Sequence, residues 1–235
     1  MQPFETIHRV GSAVLLTCEH ASEQLPPEAQ GLPAELAGTH RAYDRGAAAL
    51  VRALASRLNA SAVLAGFSRL WIDSNRDPKD PELIVAEIDG RVLSFNQGLV
   101  APERQARLDR WHRPYHDAVD TLADPGLRLL LSVHSFTGSL NGRRREFDYG
   151  VLHDGETPAV RALYAGLGGR GARVRLNEPY SGFDGKIYSV AHHGSNLACP
   201  YVEIEVRDDL LDTGAGLNGV AAHVQKAVEQ TLREL

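Results

Sequence analysis

The amino-acid sequence predicts an α/β fold, a three-layer α/β/α sandwich around a mostly parallel or mixed central sheet. Three observations carry this. Two largely apolar runs, Ala13–Thr17 (AVLLT) and Leu127–Val133 (LRLLLSV), have the composition of strands buried on both faces. Strand-like and helix-like segments alternate along the chain, the order that gives a parallel sheet covered by helices on both sides. With 235 residues and 43% hydrophobic content, the chain can bury one substantial core, and a single domain spanning 1–235 is expected.

The remaining strands are expected at Ala62–Gly66 (AVLAG), Tyr149–Leu152 (YGVL), Arg173–Leu176 (RVRL) and Tyr201–Val206 (YVEIEV). Helices are expected over His40–Leu58, where Ala and Leu recur at three- and four-residue spacing, over Pro102–Leu122, which starts on a first-turn proline, and over Pro158–Leu167 and Leu217–Leu235. The longest irregular stretch runs from about Asp73 to Gln97 and opens on SNRDPKDP. Loops of that length in compact folds tend to carry function. The arginine run Arg143–Arg145 reads as a second loop.

Charge and hydropathy narrow the function. The balance of 25 basic against 30 acidic residues, −5 at pH 7, offers no general attraction for nucleic acid or an anionic membrane and favours a small soluble partner. No apolar stretch reaches the ~20 residues of a membrane span, and the first residues lack a basic start followed by an apolar run. A cytoplasmic protein is expected. Its two cysteines, Cys18 and Cys199, are read as free, buried thiols.

In open α/β sheets, ligands bind beyond the carboxyl ends of strands. Two such ends carry histidine, in Cys18-Glu19-His20 and Val133-His134-Ser135. A catalytic zinc takes about three N/O ligands and keeps one position open. His20 and His134 can supply two. The third should be a carboxylate, and both Asp44 in THRAYDRGA and Glu23, which forms H-x-x-E with His20, qualify.

The strings CEHAS, YDRGA, FSRLWIDSNR, RWHRPYH, SVHSFTG, NEPYSG and YVEIEVRDDL, in this order from about Val14 to Leu211, resemble the motif series of the N-formylglutamate amidohydrolase family. The resemblance implies a zinc carboxypeptidase-like (zinc-exopeptidase-like) fold, with His20, Asp44 and His134 as ligands of Zn²⁺. Glu23 departs from the family pattern, which keeps the carboxypeptidase-like H-x-x-E pair open as an alternative. The general base should be a carboxylate near the activated water. Glu203 and Glu205 share one face of the last strand, and Glu205 matches the family motif best. Their structural alternative is a buried network with Arg207.

A substrate that is a small N-acyl amino acid, of the N-formyl-L-glutamate type that the resemblance implies, presents a carboxylate. Arginine is the residue for its bidentate recognition. The candidates are Arg69, the Asn75-Arg76 pair and Arg145, with Tyr180 and the His192-His193 pair as further pocket residues. Trp111 and Tyr115, at helical spacing in RWHRPYH, are read mainly as packing. The competing functions are a metallo-carboxypeptidase or peptidoglycan-type amidase acting on peptides, and a non-catalytic ligand-binding relative.

Overall fold

The computed structural model describes residues 1–140, 142–169 and 171–235. Seven strands form one mixed sheet: β1 (Phe4–Ile7), β2 (Val14–Cys18), β3 (Ser61–Ala65), β4 (Leu129–Phe136), β5 (Tyr149–Leu152), β6 (Val174–Leu176) and β7 (Tyr201–Arg207). Their spatial order is β1-β3-β2-β4-β7-β5-β6. The central strands β3, β2, β4 and β7 run parallel, while β1 is antiparallel to β3 and β5 to β7. Parallel pairing brings the carboxyl ends of β2, β4 and β7 to the same edge.

The helices are α1 (Ala47–Leu58), α2 (Ala101–Arg107), α3 (Arg113–Leu122), α4 (Pro158–Gly168), α5 (Tyr188–Asn196) and α6 (Gly214–Glu234). Alternate residues of each strand face opposite layers. Val14, Leu16, Leu131, Val133, Val202 and Ile204 meet α1, α4 and α6 in one core. Leu15, Val63 and Leu130 meet α3 and α5 in the other, beside Trp111 and Tyr115. On that second face β4 and β7 become polar towards their carboxyl ends, with Ser132, His134, Glu203 and Glu205 all buried. The sheet therefore supplies a rigid apolar base and ends in a row of chemical groups.

Several expectations shift in register. The helix foreseen from His40 begins only at Ala47, because Gly46 takes φ 80, a left-handed conformation that interrupts a right-handed helix. A Cβ at Gly46 would also stand 2.6 Å from that of Leu211. His40–Asp44 is instead a series of turns. The segment foreseen as one helix over Pro102–Leu122 is α2 and α3 joined by a π turn, Leu108–His112, a local widening often found at functional sites. Edge strand β1 and helix α5 were not foreseen.

The excursion between residues 73 and 97 holds a 3-10 turn, Pro81–Leu83, capped by Asp80, and a short hairpin pairing Glu87–Ile88 with Arg91–Val92. Asn96 Nδ2 donates to the carbonyls of Leu70 (2.8 Å) and Val85 (2.6 Å). The buried Arg107 donates to Asn96 Oδ1 and to the carbonyls of Trp71 and Phe95, with its guanidinium 3.4 Å from the centre of the Trp71 ring. Carbonyl oxygens and an aromatic face thus satisfy this buried cation. Cys18 and Cys199 are free and buried. Among the described residues, no helix is long and apolar enough to cross a membrane.

Candidate active site

A cavity of about 410 Å³ opens at the carboxyl ends of β2, β4 and β7, and His20, Asp44, Arg69, Asn75, Arg76, His134, Tyr180, Glu203 and Glu205 contribute to its lining. His20 follows β2, His134 lies within β4, and Asp44 reaches the same point because its amide donates to the His20 carbonyl at 2.9 Å. The helix that begins beyond Gly46 leaves the Asp44 side chain pointing at the strand ends. His20, Asp44 and His134 each offer one ligand atom, all mutually within 4.8 Å.

Both imidazoles are oriented by carboxylates that stand behind them. His20 Nε2 lies 2.7 Å from Asp73 Oδ1, and His134 Nε2 lies 2.9 Å from Glu19 Oε2. With Nε2 turned to these carboxylates, both Nδ1 atoms face Asp44, whose Oδ2 is 3.5 Å from His20 Nδ1 and 2.7 Å from His134 Nδ1, the latter a hydrogen bond when that nitrogen carries a proton. His20 Nδ1 is buried without a hydrogen-bond partner among the described residues. Two imidazole nitrogens and a carboxylate oxygen converging in a buried space form an N₂O donor set that, once the nitrogens are free of protons, suits a divalent cation. The carboxylate–histidine pairs behind it resemble the outer-shell support typical of metal sites.

The supporting groups are themselves held. Glu19 accepts from Tyr115 Oη at 3.0 Å and from Ser132 Oγ at 2.7 Å. Asp73 accepts from Arg69 Nη2 at 3.1 Å. Burial alone would raise Glu19 and Asp73, but His134 and Ser132 hold Glu19 below the ordinary carboxylate range, and His20 and Arg69 do so for Asp73. Asp44 is lowered likewise, the two histidines outweighing its burial. Burial works against a charged His134, yet the surrounding Glu203, Asp44 and Glu19 raise it well above the ordinary imidazole value.

Glu203 and Glu205 behave differently. Burial raises Glu203 to about 7, with Glu19 adding to the rise and His134 opposing it. Glu205 is pushed well above the usual range, by burial first and then by the charge of Asp44. Glu203 Oε2 accepts from Asn75 Nδ2 at 3.2 Å and lies 3.4 Å from His134 Nε2. Glu205 is paired in register with His134 across β7 and β4, and its Oε2 is buried with no partner among the described residues.

The substrate-side residues divide. Arg69 faces Asp73 (3.1 Å) and Asp44 (3.8 Å), and Arg76 faces Glu82 (3.3 Å) and Asp80 (3.9 Å). Asn75 is saturated internally: Nδ2 donates to Glu203 and to the Lys186 carbonyl, and Oδ1 accepts from the Ser189 amide. Arg145 donates to the Thr137 carbonyl at 3.1 Å, and its guanidinium lies 5.9 Å from the centre of the Tyr180 ring and 5.4 Å from that of Phe136. Among the described residues it has no carboxylate partner.

Three expectations are corrected. Glu23 is half-buried and accepts from the Gly38 amide at 2.6 Å, outside the His20–Asp44–His134 group, because the H-x-x-E segment has no helix to bring i and i+3 together. His192 and His193 lie on α5 and do not line the cavity; His193 is buried against His116 and Asp120. Arg207 pairs with Asp148 and Asp209, leaving Glu203 and Glu205 outside its network. Tyr115 packs as expected, but its hydroxyl also serves Glu19. Glu19 and Asp73 were passed over although each sits inside a quoted motif, next to His20 in CEHAS and two before Asn75 in FSRLWIDSNR.

A model of the N-formylglutamate amidohydrolase family matches residues 12–211, and the chain belongs to that family. Among solved structures, gene product Atu2144 from Agrobacterium tumefaciens is similar, at 31% identity and a TM-score of 0.92 over 99% of this chain and 96% of that one. N-formylglutamate amidohydrolase from Ralstonia eutropha JMP134 shares the fold at 19% identity, with a TM-score of 0.76 over 100% of this chain and 98% of that one. Comparison with curated protein sequences found no match.

Proposed function

We propose that the chain is a zinc-dependent hydrolase of the amide bond of small N-acyl amino acids, of the N-formyl-L-glutamate type, releasing formate and the amino acid. The observation that carries this reading is the pair of histidines whose Nε2 atoms are held by Glu19 and Asp73 while both Nδ1 atoms face Asp44. His20, Asp44 and His134 would hold the zinc, which supplies electrophilic activation of water and of the acyl carbonyl. Glu205 Oε2 takes the proton from the attacking water and returns it to the departing nitrogen. A divalent cation among the three ligands would offset the Asp44 charge that raises Glu205, leaving it ionised to act as a base.

A cavity of about 410 Å³ suits an amino-acid-sized substrate better than an extended peptide. Arg69 and Arg76 on its wall and Arg145, outside the lining but beside the wall residue Tyr180, supply recognition of the carboxylate, and Arg145 is the one whose planar fork meets no carboxylate among the described residues. Asn75 serves by fixing Glu203, and Tyr180 by stacking under Arg145. The test is a metal analysis joined to a screen of N-acyl amino acids, their carboxamides and short peptides. One zinc per chain, hydrolysis of an N-acyl amino acid, and a metal-free His134→Ala variant are expected. Tight stoichiometric zinc in that variant, or preference for peptides, would sink the reading.

A further inference from the structure

Behind the site, α3 and α5 meet through a line of histidines that the chemistry above does not use. His193 Nδ1 donates to Asp120 Oδ1 at 2.6 Å, so its Nε2 is left as an acceptor, and His116 Nδ1 donates to it at 2.8 Å. Both rings are buried and stacked, with centroids 5.0 Å apart. His116 Nε2 is buried without a partner among the described residues. One tautomer of each ring satisfies this line, and it does so only when both are neutral. An added proton on His193 would set two N–H groups against each other or drive the His116 proton to its partnerless Nε2, and one on His116 would likewise bury an N–H with no acceptor.

Each helix of this joint also holds a group of the site. From α3, Tyr115 donates to Glu19, which holds His134 Nε2, and from the π turn leading into α3, His112 Nε2 donates to the Arg76 carbonyl at 3.0 Å. From α5, the Ser189 amide donates to Asn75, which holds Glu203. We propose that His116 and His193 form a neutral-imidazole clamp that fixes α3 against α5 and so positions Glu19 and Asn75, and through them His134 and Glu203. They are positioning residues, and the clamp is an acid-sensitive element of the fold. Its bearing on catalysis rests on the function proposed above.

The groups facing His116 are His112 from the π turn, Tyr115 from α3, Tyr188, His192 and His193 from α5, and Glu19 beyond β2, with Asp120 behind His193. Burial, then the neighbouring His112 and His193, press His116 well below the ordinary imidazole value, and burial lowers His193 as well. A histidine lowered in the folded state binds its proton more readily when unfolded. Its contribution is therefore complete above the unfolded value of about 6.5 and is lost as pH falls below it.

The experiment uses the full chain with saturating zinc. His116→Asn keeps a donor at the Nδ1 position but cannot titrate, and His193→Gln keeps an acceptor at the Nε2 position; His116→Leu removes the bond. Zinc affinity should fall about 10- to 100-fold in His116→Leu, as for lost outer-shell support, and stay within about threefold in His116→Asn. The fall in Tm between about pH 7.5 and pH 5.5 should be shallower in His116→Asn and His193→Gln than in the wild type. Unchanged zinc affinity in a folded His116→Leu, equal loss in His116→Asn, or a wild-type pH slope in both conservative variants would overturn the clamp. If no N-acyl amino acid is hydrolysed while these differences persist, the substrate reading fails and the clamp stands.

Discussion

At the scale of single residues, the site turns on two carboxyls that share a strand face and differ in their partners. Glu203 is tied to Asn75 and close to His134 Nε2, whereas Glu205 Oε2 has no partner among the described residues and lies beside His134 in the register of the sheet. A general base must be free to take and release a proton, so Glu205→Gln should keep zinc and fold while kcat falls by ~10²–10⁴. Glu203→Gln preserves shape and can still accept from Asn75, so its kcat should drop by about tenfold or less. Steady-state kinetics on the two zinc-loaded variants decide between them, and the reverse order would move the base to Glu203. Arg145 is tested in the same way. Arg145→Lys keeps the charge but loses the fork, and should weaken kcat/KM about tenfold for an N-acyl amino acid yet little for its carboxamide, since the two changes remove one interaction.

At the scale of elements, β2, β3, β4, β5 and β7 were legible because short apolar or alternating runs of their composition fit buried strands. β2 and β4 begin as apolar runs, with His20 just beyond the end of one and His134 near the end of the other, and the ends were therefore the right places to look. Strand β1 was not legible, since only two of its four residues are half-buried and two are exposed, which leaves no apolar pattern. Helix α5 hid for another reason: its sequence YSVAHHGSN is rich in poor helix formers, and packing against the sheet holds it helical. The carboxylates behind the histidines were illegible because spacing along the chain does not report which side of a ring a neighbour will occupy. Close approach between elements gives a further prediction. A Cβ at Gly150 on β5 would overlap the Glu178 carbonyl and stand 3.2 Å from the Glu205 Cβ. A backbone carbonyl cannot rotate away, so Gly150→Ala should shift the segment carrying Tyr180, press on Glu205 and cost about 1–3 kcal/mol. Gly219→Ala, on the exposed face of α6 with nothing within 4 Å, is the control and should stabilise by about 0.5–1 kcal/mol. Equal Tm changes of one sign in both variants would refute the packing argument.

At the scale of the whole molecule, the donor set draws on parts of the chain that are far apart: His20 follows β2, Asp44 precedes α1, His134 lies on β4, and Glu19 and Asp73 brace them from β2 and the long excursion. These groups are brought within reach of one another only by the folded sheet, so a metal they share binds the native state and not the unfolded chain. Binding of that kind stabilises by RT ln(1 + [Zn²⁺]/Kd), ~2.7 kcal/mol at a hundred times Kd. For a chain of this size each kcal/mol is worth about 2–4 °C, so zinc at that excess should raise Tm by about 5–10 °C over chelated protein. The shift should grow with the logarithm of free zinc. It should also shrink as pH falls, because both Nδ1 atoms must be free of protons to bind, and the raised His134 brings that competition in above the ordinary imidazole range. His134→Ala should abolish the shift and also lower the chelated Tm, since it leaves the buried Glu19 and Asp44 carboxylates without the imidazole that holds them. Thermal melts across a series of buffered zinc concentrations, with wild type and His134→Ala in parallel, make the comparison. A zinc-independent Tm in the wild type, or an equal shift in both proteins, would mean that the His20–Asp44–His134 group is held together by its own hydrogen bonds and is not built around a cation.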